Sequence, residues 1–482
     1  MVQDNLLERI LLELAEIKEE LSQAKETIQS LQKENKQLKE IINKDSSNSS
    51  KPPSTNNGFK DPEKSDSEST PKKKKKPRGG QEKSKGTNLK KVKKPDYIEI
   101  IEVNSCQNCN HNLEDIDSKL ISSKQVFDIP PLNIEVTEYQ LLSKTCSCCG
   151  SVNKPEYPSN LKSYVQYGDN LKILVAYLNT YQMLPYDRIS EFLEDFISHK
   201  ISNGTIYNML NSVYKQLEPF ENDAKNLLLK SKVIHVDETG TRVKNKLHWT
   251  HVVSSSLVTY YMIHQKRGKE AIDEMAILPT YEGIAAHDHW KPYYNYNCTH
   301  SFCNAHHLRE LIGIVENEDV RWATDMHSLL TNMNNYIYKL KENGKTSPSK
   351  GKIQQFYQQY DNICQSAIKF YPPPDKPPKN KRKPKQCKGK NLLDRLITYK
   401  DETLLFFTNL LVPFTNNLAE RDLRMIKVKE KISGCFASYK GAEIFNRIRG
   451  YISTVKKNNR SVLDEMKNAL VGKYYMPSLV GC

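Results

Sequence analysis

The sequence has no apolar run that approaches the roughly 18 residues needed to span a membrane. Its start, MVQDNLLERI, lacks the charged and apolar regions of a secretory signal peptide. It also contains no HExxH pattern, the spacing that places two zinc-binding histidines on one helix face. These absences argue against a membrane or secreted protein and against a zinc hydrolase of that type, and we expect a cytoplasmic location.

The cysteines do not suit a disulfide framework, because there are eleven of them and four fall in two CxxC pairs. The pairs are Cys106 with Cys109 and Cys146 with Cys149, and they can supply four thiolates to a tetrahedral Zn²⁺ with a structural role. Strand-like sequence in the spacer, KQVFDIPPLNIEVTEYQLL, could return the chain between them. The choice of ligands stays open at Cys148, which could replace either neighbouring cysteine.

The net charge of +15 is concentrated in two segments that contain Pro and Gly. Residues 72–94 hold twelve Lys/Arg and one Glu, and residues 376–390 hold eight Lys/Arg and no acid. The rest of the chain is therefore slightly acidic. Such segments bind phosphate backbones without reading sequence, although the second one also suits a solubilising linker. The side chains predicted to contact DNA here are Lys72, Lys73, Lys74, Lys75, Lys76 and Arg78.

Residues 6–42 repeat apolar side chains every seven residues, which predicts a coiled coil. The a positions are Leu7, Leu14, Leu21, Ile28, Asn35 and Ile42, and the d positions are Ile10, Ile17, Ala24, Leu31 and Leu38. A single Asn at an a position disfavours other registers, so we expect a parallel dimer. The alternative is an amphipathic helix packed on its own chain.

Residues 160–225 are predicted to be helical. Within them, YDRISEFLEDFISHKISNGTIYNMLNSVYKQL indicates a helix, a short turn and a second helix, which the stretch from Ser202 to Thr205 would cap. This arrangement fits a helix-turn-helix, whose second helix can enter the major groove of DNA. Many helix pairs have this pattern without binding DNA, so the pattern alone does not decide the function.

Residues 231–304 change to strand patterns. VIHVD, HWTHVVSSS and LVTYYMIH predict three adjacent strands, followed by the helix KEAIDEMAIL and the strand GIAAHD. THSFCN predicts a fifth strand that leads into the helix AHHLRELIGIVE. The order of three strands, helix, strand, strand and helix indicates a mixed α/β fold, and residues 392–472 are predicted to be helical again.

Three acids stand at positions suited to metal binding. Asp237 and Asp288 each end a short apolar run, and Glu420 lies in a basic helix, NNLAERDLRMIKVKEKI. Hard oxygen ligands of this kind select Mg²⁺ or Mn²⁺, and a pair of such ions can activate one oxygen and stabilise another at phosphorus. Glu238 should point to the opposite strand face and have a supporting role. A surface charge is the ordinary alternative for each acid.

Two groups of side chains accompany these acids. Some of the histidines are expected to line the acidic site and contact phosphates; the cluster comprises His287, His289, His300, His306 and His307. Arg421 and Arg424 follow Glu420 at helical spacing, so their face of the helix could meet a DNA backbone. A solvated basic helix face is the alternative.

In combination, these motifs resemble the transposases of the insertion-sequence 66 (IS66) family, which are DDE-type enzymes. The resemblance covers nearly the whole chain and is most specific at LPYDR, SNGT, VIHVDETGTRV, HDHWKPYY and NNLAER. It implies that Asp237, Asp288 and Glu420 are the catalytic acids, and that Cys106, Cys109, Cys146 and Cys149 bind zinc. The chain departs from the usual family pattern at Asn304 and Leu308, where many members have Trp and Arg.

The resemblance also implies an RNase H-like catalytic core with a helical insertion. We therefore predict a multidomain α/β protein with the following organisation: a coiled coil (1–44), a disordered Lys-rich linker (45–95), a four-cysteine zinc module (96–155), a helix-turn-helix-like region (156–228), the first part of the core (229–304), the insertion with the second basic segment (305–395), and the last part of the core (396–482).

The expected function is that of a prokaryotic, nucleoid-associated DNA transposase. It would bind the terminal inverted repeats of its element as a homodimer, cut each end with two Mg²⁺ or Mn²⁺ ions, and join the ends to target DNA. Small accessory proteins often accompany this family. A zipper-type DNA-binding regulator, or a decayed transposase that represses, is the main alternative, and a nuclease for RNA–DNA hybrids is a third.

Overall fold

The computed structural model describes the greater part of the chain, namely residues 2–42, 44, 48, 89–130, 132–318, 320–372 and 386–478. The chain divides into two units, which we describe separately. The larger comprises Met1–Lys60, Glu138–Glu194 and Lys200–Cys482, and the smaller comprises Asp61–Thr137 and Asp195–His199. Most of the predicted Lys-rich linker, including Lys72 to Lys76 and Arg78, lies outside the described residues.

Helix α1 extends from Val2 to Ile42, as the heptads predict. The segment contains neither Gly nor Pro, so no residue interrupts its backbone hydrogen bonds. Its described apolar stripe lies on the surface; Ile17, Leu21, Ile28, Leu31 and Leu38 are each 52% to 59% exposed. This exposure disfavours the alternative in which the helix packs its apolar face on its own chain.

Two short strands, β1 (Lys144–Thr145) and β2 (Val152–Asn153), form an antiparallel hairpin around the second CxxC pair. The spacer before them has a strand-like sequence but does not form strands in its described residues. The described residues between 124 and 142 contain no strand, and apolar side chains such as Val126 and Val136 are 89% exposed. Alternating β-branched residues make a strand only when they have a surface to pack against.

The predicted helical region after the hairpin contains four α-helices and one π-helical turn. These are α2 (Asp169–Ala176), the π turn (Tyr177–Tyr181), α3 (Tyr186–Ile197), α4 (Asn203–Gln216) and α5 (Glu218–Lys230). Ser202 caps α4 as predicted, because its Oγ accepts the Thr205 N–H at 3.2 Å. The buried face of α4 packs on α2 and on a helix near the end of the chain.

The sheet contains β3 (Val233–Val243), β4 (Lys246–Ser254), β5 (Thr259–His264), β6 (Ile284–His287) and β7 (Thr299–Phe302). Their spatial order is β5-β4-β3-β6-β7. The first three strands are antiparallel, whereas β3, β6 and β7 run parallel. Helix α6 (Lys269–Met275) connects β5 to β6. All five strands are those predicted from the sequence, and the fold is mixed α/β.

Five helices follow β7 and bury a core of their own around Trp322, Met333, Tyr360, Leu393 and Phe407. They are α7 (Asn304–Glu318), α8 (Arg321–Glu342), α9 (Lys350–Ile368), α10 (Lys388–Thr398) and α11 (Lys400–Thr408). Most of the second basic segment, residues 373–385, lies outside the described residues. The predicted helical character of this part of the chain is confirmed.

Three final helices, α12 (Asn417–Ser433), α13 (Tyr439–Lys457) and α14 (Val462–Leu470), return the chain to the sheet. Helix α12 packs on β3 and β4, and α13 packs on β5. Gly450 permits the close approach of α13, since a Cβ at this position would lie 3.1 Å from the Thr259 carbonyl oxygen. Among the described helices, none is both long and apolar enough to cross a membrane.

Candidate functional site

The pairing of β3 with β6 brings two of the predicted acids to one edge of the sheet. In this parallel pair, His235 lies opposite Ala286. Asp237 and Asp288 each follow two residues later, so the same register sets them side by side where β6 ends and β3 continues toward Val243. Two aspartates that are 51 positions apart in the sequence, 237 and 288, thus become neighbours through strand pairing.

The electrostatics of the two aspartates reflect this proximity. Burial raises the pKa of Asp237 well above its usual value, and the negative charges of Glu238, Asp288 and Glu420 raise it further. Burial also raises the pKa of Asp288, against the lowering effects of the Trp290 N–H, which donates to Asp288 Oδ1 at 3.1 Å, and of Arg267. Four carboxylates, those of Glu238 and the three predicted acids, therefore lie close together, and the charge of Arg267 does not offset the effect of burial on Asp288.

Glu420 reaches this site from the first turn of α12. The helix is fastened to the sheet further along, where Glu430 Oε1 accepts the Arg242 N–H at 2.7 Å and Lys427 donates to the Gly240 carbonyl. Asp422 anchors the buried side of the helix by an ion pair with Lys457 at 2.9 Å. These contacts set the direction of α12 and therefore the point at which Glu420 meets the edge of the sheet.

One oxygen of Glu420 is held by side chains that follow β7. Glu420 Oε1 lies 3.8 Å from Cys303 Sγ, 3.8 Å from His306 Nδ1 and 3.6 Å from Arg309 Nη2. Burial raises the pKa of the Cys303 thiol to about 12 and lowers that of His306 to about 4, so both groups are neutral. Only Arg309 brings positive charge to this carboxylate.

Two arrangements of metal-capable side chains must be compared. Within the part of the chain that the structure describes, the group of three whose ligand atoms all lie within 4.8 Å of one another is Cys303, His306 and Glu420. The three acids are more widely spread than that. A pair of ions about 3.5–4 Å apart needs such a spread, and its oxygen ligands suit Mg²⁺. The guanidinium of Arg309 disfavours a cation at the tighter group.

Glu238, for which the sequence predicts a supporting role, is held by two neighbouring side chains. Its buried carboxylate accepts hydrogen bonds from Arg267, with Nε at 2.8 Å and Nη2 at 2.6 Å, and from the Tyr293 hydroxyl. The Arg267 guanidinium lies over the rings of Trp249 and Trp290, 4.8 Å and 4.3 Å from their centroids. Glu238 thus holds Arg267 at the site, and nothing in the sequence near Arg267 indicated this.

Most of the histidines belong to an aromatic cluster. His287 Nε2 lies 3.0 Å from His300 Nδ1, and the rings of His287, His289 and His300 all contact Tyr294. His287 and His289 also contact Phe302. His307 is also buried, and its Nδ1 lies 3.1 Å from Asn304 Oδ1. Of the five histidines in the predicted cluster, His306 is the one whose contact with an acid of the site is described.

Basic side chains on α12 lie beside the acids. Arg421 and Arg424, the residues predicted to face DNA, are both exposed. The helix buries Ala419, Leu423 and Ile426 on its opposite face. The pattern is that of an amphipathic helix with its arginines on the solvent side, next to Glu420.

The two CxxC pairs form matching turns. In the smaller unit, the Cys106 N–H donates to the His111 carbonyl at 2.8 Å and the Asn110 N–H to the Cys106 carbonyl at 2.9 Å. In the larger unit, Cys146 and Gly150 make the same two bonds, at 2.8 Å and 2.9 Å, with Ser151 and Cys146 as acceptors. Asn110 and Gly150 both adopt positive φ, at 57° and 71°. Each pair is thus preformed by its own local backbone.

The thiols of these turns are suited to metal binding. Hydrogen bonds from the backbone of Asn108 and Cys109 lower the pKa of Cys106, and the Ser151 hydroxyl lowers the pKa of Cys149. A lowered pKa favours the thiolate, which is the form that binds zinc. Cys148 takes the place that Asn108 has in the first turn, so the matching geometry favours Cys146 and Cys149 as the ligands.

Known family models match two regions of the chain: the region that contains the sheet and the acids, and the region that contains the cysteine turns. A family model described as "Transposase IS66 family" matches residues 165–444, more than half of the chain. A second, described as "zinc-finger binding domain of transposase IS66", matches residues 104–150. No curated protein matched the chain. The first match covers the sheet, all three acids and the helices between them, and the second covers both CxxC pairs.

Proposed function

Because the chain belongs to the IS66 family of transposases, we propose that Asp237, Asp288 and Glu420 are its catalytic carboxylates and that they hold a pair of Mg²⁺ or Mn²⁺ ions. The observation that supports this proposal is the proximity of three acids from separate segments. The β3–β6 register sets Asp288 beside Asp237, α12 packs on β3, and the charges of Asp288 and Glu420 add to the effect of burial in raising the pKa of Asp237. Carboxylates that are buried without balancing charge are stabilised either by a proton, which the raised pKa values reflect, or by a bound cation.

The order of the strands supports an RNase H-like core. Numbered along the chain from β3, the sheet has the order 3-2-1-4-5, with three antiparallel strands followed by two parallel ones. In such a sheet the fourth strand ends beside the first, and Asp288, which follows β6, then lies next to Asp237 of β3. The helices from α7 to α11 then form the insertion, and α12 delivers Glu420.

The bound ions would activate the attacking oxygen and stabilise the leaving oxygen at phosphorus. The chain itself orients the carboxylates. Described contacts to Cys303, His306 and Arg309 all use Oε1 of Glu420, so Oε2 is available to a cation. The Trp290 N–H likewise fixes Oδ1 of Asp288. Oxygens held in this way need little rearrangement when the site is filled.

The reaction proposed for this site has two steps. Water attacks the phosphodiester at each end of the element, which releases a 3′-hydroxyl on the element and a 5′-phosphate on the flanking DNA. The 3′-hydroxyl then attacks a phosphodiester of the target and displaces the target's own 3′ oxygen. Each step exchanges one P–O bond for another, and neither requires a covalent bond between protein and DNA.

Recognition of the terminal inverted repeats would involve several parts of the chain. The two cysteine turns, whose thiolates would bind Zn²⁺, and the helix pair α3–α4 would read or position the ends. The Lys-rich segments would add affinity that depends on salt. Arg421 and Arg424 project to solvent beside Glu420, where they would neutralise phosphates of the strand to be cut. Each of these contacts acts on DNA without entering the chemical step.

Helix α1 would join two copies of the protein as a parallel coiled coil. Its exposed leucines and isoleucines lie on one stripe, and Asn35 supplies the polar a position that favours one register. A dimer suits an enzyme that must act on two ends of one element. Deletion of residues 1–44 should give a monomer in sedimentation experiments, whereas an unchanged dimer would assign the interface to another surface.

The deciding experiment for the proposed function is a nicking assay. The purified protein is incubated with DNA that flanks its own reading frame, with Mg²⁺ and with EDTA. Wild-type protein should nick at the element ends only with Mg²⁺, and Asp288→Asn should bind the same DNA without nicking it. Asp325→Asn, which changes a carboxylate on the surface of α8, is the matched control and should nick normally.

Two other outcomes would contradict the proposal. If wild-type protein binds the ends tightly but never cuts them with Mg²⁺ or Mn²⁺, the zipper-type regulator or the decayed repressor is the better description. Cleavage of RNA–DNA hybrids without any end sequence would indicate the nuclease instead.

A further inference from the structure

Asn416 lies immediately before α12, is 1% exposed, and uses all of its polar groups. Its Nδ2 donates to the Val236 carbonyl at 2.9 Å, and its Oδ1 lies 2.8 Å from His235 Nδ1. Its backbone N–H donates to Cys303 Sγ at 3.1 Å, and its carbonyl accepts the Glu420 N–H at 3.3 Å. Each of the four polar groups of this buried residue therefore has a partner.

Each of these bonds leads to an element that carries or adjoins one of the acids. His235 and Val236 directly precede Asp237 on β3. Cys303 directly follows β7, which pairs in parallel with β6, and Asp288 directly follows β6. The fourth bond ends at the backbone of Glu420 itself. Asn416 therefore connects β3, the end of β7 and the start of α12 through its side chain and its backbone.

The bonds to β3 also fix the state of His235. Nδ2 of Asn416 is the donor to Val236, so Oδ1 is the acceptor, and His235 Nδ1 must carry the proton in the bond between them. Asn416 thus makes two hydrogen bonds with β3, one to the main chain of Val236 and one to the His235 ring.

Helix capping does not explain this use of the side chain. Asn is favoured before a helix because its side-chain oxygen accepts an N–H of the first turn. Asn416 occupies that position, but its side chain makes no capping hydrogen bond. The stabilisation that a cap normally gives is forgone, and the amide bonds to β3 instead.

Cys303 extends the same arrangement. Its Sγ accepts the Asn416 N–H and at the same time lies 3.8 Å from Glu420 Oε1. The thiol is buried, so it is an additional fixed point between the start of α12 and the carboxylate. A shift of α12 relative to β3 would break the bonds of Asn416 first and would then carry Glu420 away from Asp237.

We propose that Asn416 is a positioning residue that sets the distance between Asp237 and Glu420, and thereby the affinity of the site for divalent cations. This inference rests on the proposed function, because it assumes that the two carboxylates share bound ions. Residues that orient metal ligands from behind commonly change metal affinity or activity by about 10–100-fold when they are replaced.

The test compares Asn416→Ala with Asn417→Ala in the full-length protein. Asn417 is the adjacent, exposed Asn, so the control removes the same side chain one position further on. Binding of Mn²⁺ is measured without DNA by electron paramagnetic resonance, and the Mg²⁺ concentration for half-maximal nicking is measured separately. Circular dichroism and thermal unfolding report the fold of each variant.

Asn416→Ala should weaken Mn²⁺ binding by about tenfold or more and raise the half-maximal Mg²⁺ concentration, and saturating metal should restore part of the nicking. Asn417→Ala should match wild type in each measurement. If Asn416→Ala lowers the melting temperature but binds Mn²⁺ like wild type, Asn416 has only a structural role and the inference is wrong. If Asn416→Ala does not fold, Mn²⁺ binding and nicking are measured on Asn416→Ser and Cys303→Ala and compared with Asn417→Ala in the same way.

The measurements also separate this inference from the proposed function. If wild-type protein binds Mn²⁺ at the acids and nicks, a normal Asn416→Ala variant overturns the role of Asn416 alone. If wild-type protein shows neither Mn²⁺ binding nor nicking, the proposed catalytic site is wrong, and the positioning role is wrong with it.

Discussion

The acid site and the cysteine turns differ in the way their donor atoms are brought together. The carboxylates come from β3, from the end of β6 and from α12, and burial raises the pKa of both aspartates. The thiols lie on short turns, and local hydrogen bonds lower the pKa of Cys106 and Cys149. At the acid site, burial therefore disfavours the ionised carboxylates that would bind a metal, and the geometry depends on distant parts of the fold. At the cysteine turns, hydrogen bonds from neighbouring residues favour the thiolates that would bind zinc.

The largest effect should come from removing one donor of a preformed turn. Cys149→Ser should lower zinc affinity by at least about a hundredfold, since a ligand matters more than the 10–100-fold of a supporting partner. Cys148→Ser is the matched control and should keep the zinc, because it occupies the place of Asn108. Metal analysis of purified full-length protein measures both. Zinc lost on mutation of Cys148 but not of Cys149 would reverse the assignment of ligands.

Features that depend on nearby residues could be predicted from the sequence, whereas contacts between distant elements could not. Two CxxC pairs, each followed by Asn110 or Gly150, indicate matching turns without any knowledge of the fold. The five strands and the helical region were also predictable from hydrophobic periodicity. The contacts of Arg267, Cys303 and Asn416 were not, because each depends on elements that are distant in sequence. The spacer between the cysteine pairs showed the limit of periodicity, since strand-like residues stayed exposed without a partner surface.

A smaller effect should appear in the stability of the acid site. The folded-state pKa of Asp237 lies above its unfolded value, so its protonated form stabilises the fold at low pH, and this contribution is lost as pH rises through the folded pKa. Asp237→Asn should therefore be more stable than wild type at pH 8 in EDTA, by about 1.4 kcal/mol for each unit of the shift. The gain should shrink toward pH 4.

Urea unfolding of the two proteins at several pH values measures this difference, with Asp325→Asn as the control on the surface of α8. Added Mg²⁺ should stabilise wild type and reduce the advantage of the variant, because bound cations remove the repulsion among the carboxylates. A variant that is less stable than wild type at every pH would show that the charge of Asp237 is already balanced within the protein.

The smallest effect should come from the exposed arginines beside the acids. The double variant Arg421→Ala, Arg424→Ala should show a weaker salt dependence of DNA binding. The slope of log K against log salt concentration should become less negative by roughly 0.9 for each phosphate that the protein no longer neutralises. Nicking at saturating DNA should change little, since these side chains are proposed to hold the strand rather than the metal. Lys339→Ala with Lys341→Ala, on the exposed surface of α8, serves as the control. If the two double variants have the same slope, DNA does not contact Arg421 and Arg424.

The most direct test of the shared metal site is anomalous diffraction from crystals of the full-length protein soaked in Mn²⁺. Asp237, Asp288 and Glu420 should enclose two peaks about 3.5–4 Å apart, with Asp237 and Asp288 drawn toward Glu420. A single peak bound by Cys303, His306 and Glu420, or acids without any bound ion at saturating Mn²⁺, would contradict the claim that these three carboxylates form one catalytic site.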